Sequence, residues 1–335
     1  NKTKKPADRL IFHVDVNSAF LSWESARRMK EGLPDLRDIP ACIGGDPAKR
    51  TGIVVAKSIP AKKCGVQTGE PVAMALRKCP NMVIVPSDFD LYVKCSRAFK
   101  KICASYTPVM ESFSIDEVFL DMTGTSLLYP DPIAAAHEIK DRISDELGFT
   151  VNVGISTNKL LAKMASDFEK PTKCIPCFQK KSLEDVASSG TRAFVLGKAS
   201  EKELTEAGIR TIGDLAHAWE TDIQTLIGNK NGHQLYQYAD GIDDSPVKAQ
   251  PDEAKGFSAE TTFNEDIVSI EQVDPILLAQ CDIVAARMRR KKEKMHSVHN
   301  LPHPRFPKTA HTRQNFQNAT DITDEIYRLR QNSSS

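Results

Sequence analysis

The chain has 335 residues, 40% hydrophobic and 27% charged, with a formal net charge of +1. That length implies more than one domain and at least one sizeable core, in proportions ordinary for a globular protein. No apolar stretch follows the Lys-rich start "NKTKKPADR" and no run approaches transmembrane length, so a secretory leader and a membrane partner are not expected. The eight cysteines form no regular framework and read as reduced thiols, giving the expectation of a soluble, cytoplasmic protein.

Taken in chain order, "RLIFHVDV" (9–16) alternates as a strand with Asp15 near its exit. Asn17 or Ser18 then caps a helix over "AFLSWESARRMKE", which Gly32 and Pro34 stop. "IPACIGG" and "GIVVAKSI" read as strands joined by a Gly-Asp-Pro turn, and "PNMVIVPSD" as a further short strand. "FDLYVKCSRAFKKICASY" is an amphipathic helix, and "PVMESFSI" with "VFLDM" forms a hairpin. A helix over "PIAAAHEIKDRISDELG", a strand over "FTVNVGIS" and a helix over "NKLLAKMASDFEK" follow, closed by Pro171. The order β-α-β-β-α-β, with an insertion after the first helix, predicts one sheet backed by helices.

From about Gln179 the pattern changes to short helices punctuated by glycine, "SEKELTEAGIRTIGDLAHA" and "IQTLIGNKNGHQLYQYADG". "DDSPVKAQPDEAKG" reads as a linker. Beyond it come a strand and loop in "FSAETTFNEDI", a helix over "DPILLAQCDIVAARMRRKKEK" and a shorter helix over "ITDEIYRLR". The segment "HSVHNLPHPRFPKTAHTRQNFQN" lacks the alternation a strand needs, so no strand is expected there. Charge is segregated in this region: 251–280 is acidic, whereas 281–313 carries nine Lys and Arg against Asp282 and Glu293. A basic surface is therefore hidden by overall neutrality.

The stretch "FSIDEVFLDM" places Asp116 and Glu117 side by side among β-formers. Buried charges are paired or hold a metal. In a regular strand neighbouring side chains face opposite ways, so the two acids share a site only if the backbone turns beside them. Asp15, at the end of another strand, is the natural third member. Three carboxylates can hold two hard cations such as Mg²⁺, and ions roughly 3.5–4 Å apart serve phosphoryl transfer. Taken alone, the pair fits turn or cap positions equally well. Asp121 ends its strand before "TGT" and reads as a turn residue.

"HVDVNSAF", "SIDEVFLDMTG" and "VGISTNKLLAKMASDFEKP" together resemble the palm of the Y-family DNA polymerases, the DNA polymerase IV-like translesion enzymes. The resemblance continues in "EAGIRTIGDLA", like their thumb, and "FSAETTFNEDI", like the start of their little finger. It implies a multidomain α+β protein, a right-hand polymerase with a ferredoxin-like β-α-β-β-α-β palm (1–18 and 88–177), small α/β fingers (19–87), a helical thumb (178–244), a linker (245–255) and an α/β little finger (256–335) that is abbreviated or lacks segments. It further implies that Asp15, Asp116 and Glu117, with the Val16 carbonyl, hold two Mg²⁺ ions. By the same match Phe20 is the steric gate against a ribose 2′-hydroxyl and Lys170 contacts the triphosphate. Lys163 lies on the same helix surface as Lys170 and reads as solvated.

Three departures stand out. Where the family has a Tyr-x-Ala-Arg grip on the triphosphate, this chain has "SIPAKK", with Ile59 for the tyrosine and Lys62 for the arginine. Lysine is a point charge and cannot make the two-pronged contact of arginine. Asn17 also stands where an aspartate is common. For DNA, the resemblance points to a glycine turn at Gly208, whose backbone N–H groups reach a phosphate without reading sequence. In the upstream hairpin "FVLGKASEKEL" only Gly197 is present of the usual two glycines. Arg287, Arg289, Arg290, Lys291, Lys292 and Lys294 form a run suited to tracking a phosphate backbone.

The lone Cys174-Ile175-Pro176-Cys177 pair lacks a second ligand pair for zinc, and His296, His299, His303 and His311 share no helical register. The reading is thus a DNA-directed DNA polymerase of low fidelity without proofreading, acting as a monomer on primer–template DNA and deoxynucleoside triphosphates, with no sliding-clamp motif in view. Two other classes remain open: a DNA-binding relative with a crippled triphosphate site that acts in recruitment, and a nucleotide cyclase, which also sets paired acids on such a sheet.

Overall fold

Residues 9–48, 52–168, 174–176, 197–250, 253–263, 269–299 and 313–331 are described by a computed structural model of the chain. Two compact units result, 1–45 with 53–251 and 46–52 with 252–335.

In the first unit the opening alternation becomes β1 (Ile11–Val16), buried at every position, followed by α1 (Ala19–Lys30). Next come β2 (Ala41–Gly44), β3 (Val54–Lys57), α2 (Ile59–Lys63), α3 (Val72–Lys78) and β4 (Val83–Val85). The strand expected over "GIVVAKSI" is therefore cut short. Ser58 caps α2 by accepting from Ala61 N, and Pro60 in the first turn has no N–H to lose. The chain continues through α4 (Phe89–Ala104), β5 (Met110–Ser112), β6 (Glu117–Asp121), α5 (Pro132–Leu147), β7 (Val151–Ser156), α6 (Lys159–Phe168) and β8 (Cys174–Pro176). Asp131 caps α5 through Ile133 N and Ala134 N, with Pro132 in the first turn and left-handed Gly148 after the last. The unit ends in α7 (Lys198–Glu206), α8 (Ile212–His217), α9 (Glu220–Ile227) and α10 (Asn229–Ala239).

The main sheet has the order β5-β6-β1-β7-β8, with β1 antiparallel to both neighbours. Alternation along β1 sorts its side chains onto two faces. Phe12, Val14 and Val16 join Val118 and Leu120 in the large core, with Trp23 of α1, Tyr92 and Phe99 of α4 and Ile139 of α5. Burying one such side chain contributes about 1.5–3 kcal/mol. Opposite, Ile11 and Phe119 pack with Ala162 of α6 and Val247. A second sheet, β3-β2-β4, has its own core of Val54, Ala61, Val66, Val72, Ala75 and Cys79. The four short helices close over Leu204, Ile212, Leu215, Ile223 and Leu235.

The stretch 243–248 is bound to the sheet of its own unit rather than hanging free. Asp243 Oδ2 accepts from Leu160 N at 3.1 Å, Arg9 donates to Ser245 O at 2.9 Å, and Glu111 accepts from both Lys248 N and Lys159 Nζ at 2.8 Å.

The second unit contains α11 (Ile270–Lys291), β9 (Met295–His299), β10 (Arg313–Thr320) and α12 (Thr323–Gln331). Cys281, Ala285 and Met288 of α11 pack on Ile326 of α12. The antiparallel pair β9–β10 corrects the expectation that this region holds no strand. Backbone pairing holds it despite the missing apolar alternation. The described part of "FSAETTFNEDI" has no regular structure.

One contact sets the distance between sheet and helix. A Cβ on Gly154 of β7 would lie 1.9 Å from Ala162 O and 2.5 Å from Ser166 N. Gly154→Ala therefore pushes α6 off the sheet, and urea unfolding is expected to show a loss of about 1–3 kcal/mol or more.

Candidate active site

The antiparallel pairing of β1 and β6 sets Asp15 directly opposite Glu117. Residues opposite one another in such a pair project from the same face. Asp116 precedes the strand in the bend over 114–116, so the backbone does turn beside the acid pair. Its carbonyl accepts from Val16 N at 3.1 Å, which draws the bend onto the exit of β1. The bend is anchored from below: Lys100 of α4 donates to Ser114 O at 2.5 Å, and Ser96 donates to Ile115 O. Asp15 is only 6% exposed. Asp121, at the end of β6, accepts from Thr123 N at 2.9 Å, the geometry of a turn residue.

The three backbones thus converge, but the carboxylate oxygens of Asp116 and Glu117 are held by other side chains. Ser114 Oγ donates to Asp116 Oδ1 at 2.6 Å, and Lys163 Nζ to Glu117 Oε1 at 2.7 Å. Among the described residues no group of three or more His, Cys, Asp or Glu side chains is gathered closely enough to hold an ion. The expectation that Lys163 is solvated is corrected: it is the counter-charge of Glu117. Its position on α6 faces the sheet because Gly154 lets the helix approach.

His13 lies two residues before Asp15 on the same face, stacked on Phe119 with ring centroids 4.6 Å apart. Ser166 Oγ donates to Lys163 O at 2.7 Å, so it accepts from His13 Nδ1 at 2.8 Å. The neutral ring therefore carries its proton on Nδ1. Burial lowers the His13 pKa and favours that neutral form. Burial also pushes the Glu117 carboxyl up, but the Lys163 cation bonded to it outweighs burial and holds the group below its usual range. Lys163 is the stronger partner, since His13 Nε2 stands 3.9 Å from Glu117, beyond hydrogen-bond distance. Oxygen-only donors, with Glu117 ionised at neutral pH, fit a hard divalent cation.

Phe20, the expected gate, is half-buried at the start of α1 in an aromatic group. Its ring lies 4.7 Å from Tyr92, 5.8 Å from Trp23 and 6.2 Å from Phe89. Ser18, just before α1, adopts a left-handed φ of 47°, a strained conformation of the kind that collects at functional sites. Asn17 gains from being an amide: its Nδ2 donates to Thr150 Oγ1 at 3.1 Å and Asn152 Oδ1 at 3.3 Å, which a carboxylate could not do. In α2, Ile59 is 59% exposed and Lys62 is exposed. Lys57 of β3 is close enough that burial and the Lys62 charge both lower its pKa. Lys170 lies outside the described residues.

Of the expected DNA contacts, Gly208 turns the chain from α7 into α8 with a φ of 88°, a conformation that favours glycine. Thr211 and Asp214 then form a capping box that starts α8. In the second unit Arg287 is engaged with Ser258 O, and Arg289 donates to Asp321 O at 2.9 Å. Arg290, Lys291, Lys292 and Lys294 are exposed. Phe194–Leu196, Cys177, His303 and His311 lie outside the described residues.

Sequence profiles of known families match almost end to end. The impB/mucB/samB family matches residues 14–167 and its C-terminal domain residues 254–332, while a profile described as the DNA polymerase-iota thumb domain matches 195–243. A DNA polymerase IV of Clostridium acetobutylicum is 40% identical over 322 residues, spanning 95% of this chain and 80% of that protein. The chain belongs to the impB/mucB/samB family. A DNA polymerase IV 1 of Bacillus subtilis is 36% identical over 287 residues, 85% of this chain and 67% of that protein. In fold, a solved Y-family DNA polymerase chimera (Dbh-Dpo4(243-245)-Dbh) superposes with a TM-score of 0.82 at 19% identity, covering 96% of this chain and 92% of that one. The Y-family resemblance and the right-hand polymerase fold are thus both upheld.

Against that family membership, the residues that motif reading passes over are His13, Lys100 and Lys57, while it reads Lys163 as solvated. His13 was legible in principle from its period-two spacing to Asp15; the lysines carry no sequence signal that separates them from solvated ones. Lys163→Met leaves a half-buried carboxylate without its cation. Such a group costs about 1–3 kcal/mol, and denaturant unfolding at neutral pH is expected to show that loss.

Proposed function

We propose that this chain is a template-directed DNA polymerase of the translesion class, with Asp15, Asp116 and Glu117 as its catalytic carboxylates. The observation that carries the site assignment is the register placing Asp15 opposite Glu117, with Asp116 tied to Val16. Family membership and relatives named DNA polymerase IV support the activity. We assign the palm to 1–18 and 88–177, the fingers to 19–87, the thumb to 178–244 and the little finger to 256–335.

Two bound Mg²⁺ ions would supply activation of the primer 3′-hydroxyl and neutralise the triphosphate. The chain's own residues do the rest. Ser114 donates to Asp116 and Lys163 pairs with Glu117, orienting the carboxylates that would hold the cations. The Val16 carbonyl supplies a further oxygen. Phe20, braced by Tyr92 and Trp23, presents a flat wall to the sugar, so a 2′-hydroxyl finds no room. Lys62 with its neighbour Lys57, and Lys170, place positive charge for the triphosphate; paired lysines replace the single forked arginine. DNA phosphates are met by the turn at Gly208 and by Arg290, Lys291 and Lys292, with Arg287 and Arg289 fixing the end of α11.

A reading as a weakened relative that only recruits other proteins draws on exposed Ile59 and on Lys62 in place of arginine. Primer extension with Mg²⁺ on an intact template, and past an abasic site, separates the two: extension is expected, and its absence with normal DNA binding favours recruitment. Asp116→Asn is expected to abolish nucleotide addition while leaving DNA affinity within about twofold, because phosphate contacts rather than this acid carry binding. Near-normal extension by that variant would remove Asp116 from the site. Phe20→Ala is expected to admit ribonucleotides in a single-nucleotide incorporation assay; unchanged sugar selection would place the gate elsewhere.

A further inference from the structure

The second sheet holds three cysteines that the polymerase reading leaves unused: Cys42 on β2, Cys64 just after α2 and Cys79 just after α3. Cys42 and Cys79 are buried, and Cys64 is exposed. The ends of α2 and α3 are brought together. Lys78 Nζ donates to Gly65 O at 3.1 Å and to Glu70 Oε2 at 2.5 Å, joining the residues next to each cysteine. Ala61 and Val66, on either side of Cys64, pack in the same core as Cys79. Cys79 is raised in pKa by burial first, and the neighbouring Cys64 thiol is close enough to add to that rise.

We propose that Cys64 and Cys79 are a thiol pair that closes to a disulfide under a hydroperoxide, tying α2 to α3 and changing the position of Lys62. Cys64 is the accessible member, so its thiolate attacks the peroxide. For hydrogen peroxide, the O–O bond breaks, one oxygen stays on Cys64 as a sulfenic acid and the other leaves as water. The Cys79 sulfur then attacks the Cys64 sulfur, the S–O bond breaks and a second water leaves. Two thiols are oxidised to one disulfide and one peroxide is reduced to two waters. A thiol reductant reverses the reaction.

The consequence follows from the chain path. Lys62 lies two residues before Cys64, inside the single short helix α2. Drawing Cys64 towards the buried Cys79 pulls the C-terminal end of α2 inwards, away from the setting in which Lys62 is exposed beside Lys57. This last step rests on the proposed role of Lys62 in holding the triphosphate; formation of the disulfide does not.

The test treats the full chain with hydrogen peroxide, blocks the remaining thiols and maps the linkages by mass spectrometry. In parallel, single-nucleotide incorporation gives the KM for the deoxynucleotide. A Cys64–Cys79 link is expected, together with a KM raised about fivefold or more, the lower end of ordinary coupling between sites. Dithiothreitol should restore the starting value, and Cys64→Ser should show the basal KM both before and after peroxide. A Cys42–Cys79 link, or Cys64 oxidised to sulfinic acid with Cys79 still free, would overturn the pairing. A Cys64–Cys79 link with an unchanged KM would overturn the coupling to the triphosphate site while leaving the polymerase reading intact.

Discussion

The site rests on the register between β1 and β6. Because β1 is the central strand and pairs on both edges, its side-chain period decides at once which residues form the core and which reach the face that carries Asp15 and Glu117. A slip of one residue would exchange Asp15 for Val14 opposite Glu117 and bring His13 and Ile11 into the main core. The apolar set Phe12, Val14 and Val16 prevents that slip, since each is fully or almost fully buried. Stability of the core and placement of the acid are therefore one constraint.

On that face, charge is managed by short polar contacts. Glu117 has Lys163, Asp116 has Ser114, and the ring of His13 is fixed by Ser166 and Phe119. A buried ionised carboxylate without partners would be expelled or neutralised. These contacts orient the acids without locking them: each is a single side-chain interaction that a cation can replace. Lys100 and Ser96 serve a different purpose, holding the bend that carries Asp116 through its carbonyls rather than its carboxylate.

Much of this was legible beforehand where a residue's role follows from backbone period or turn chemistry. The β-α-β-β-α-β order, the hairpin around "SIDE" and the helical turn at Gly208 are all local signals. Asp121 reads correctly as a turn residue for the same reason. The misreadings share another cause. Lys163 looks solvated because lysine on a helix usually is; only the close approach at Gly154, a tertiary fact, turns it onto the sheet. The strands β9 and β10 escape a hydrophobic-period search because backbone pairing, not an apolar face, holds them. "SIPAKK" departs from the family's pattern, and the structure explains part of the departure: the segment is a capped helix that exposes Ile59 and sets Lys62 near Lys57.

The account stands or falls on whether the three acids exchange their present partners for cations. Crystals grown with primer–template DNA, an incoming deoxynucleotide and Mn²⁺ would show this directly by anomalous scattering. The account predicts two peaks roughly 3.5–4 Å apart, bounded by Asp15, Asp116 and Glu117, with Lys163 displaced from Glu117. A ternary complex in which Lys163 still pairs with Glu117, and the manganese lies on other ligands, would contradict it.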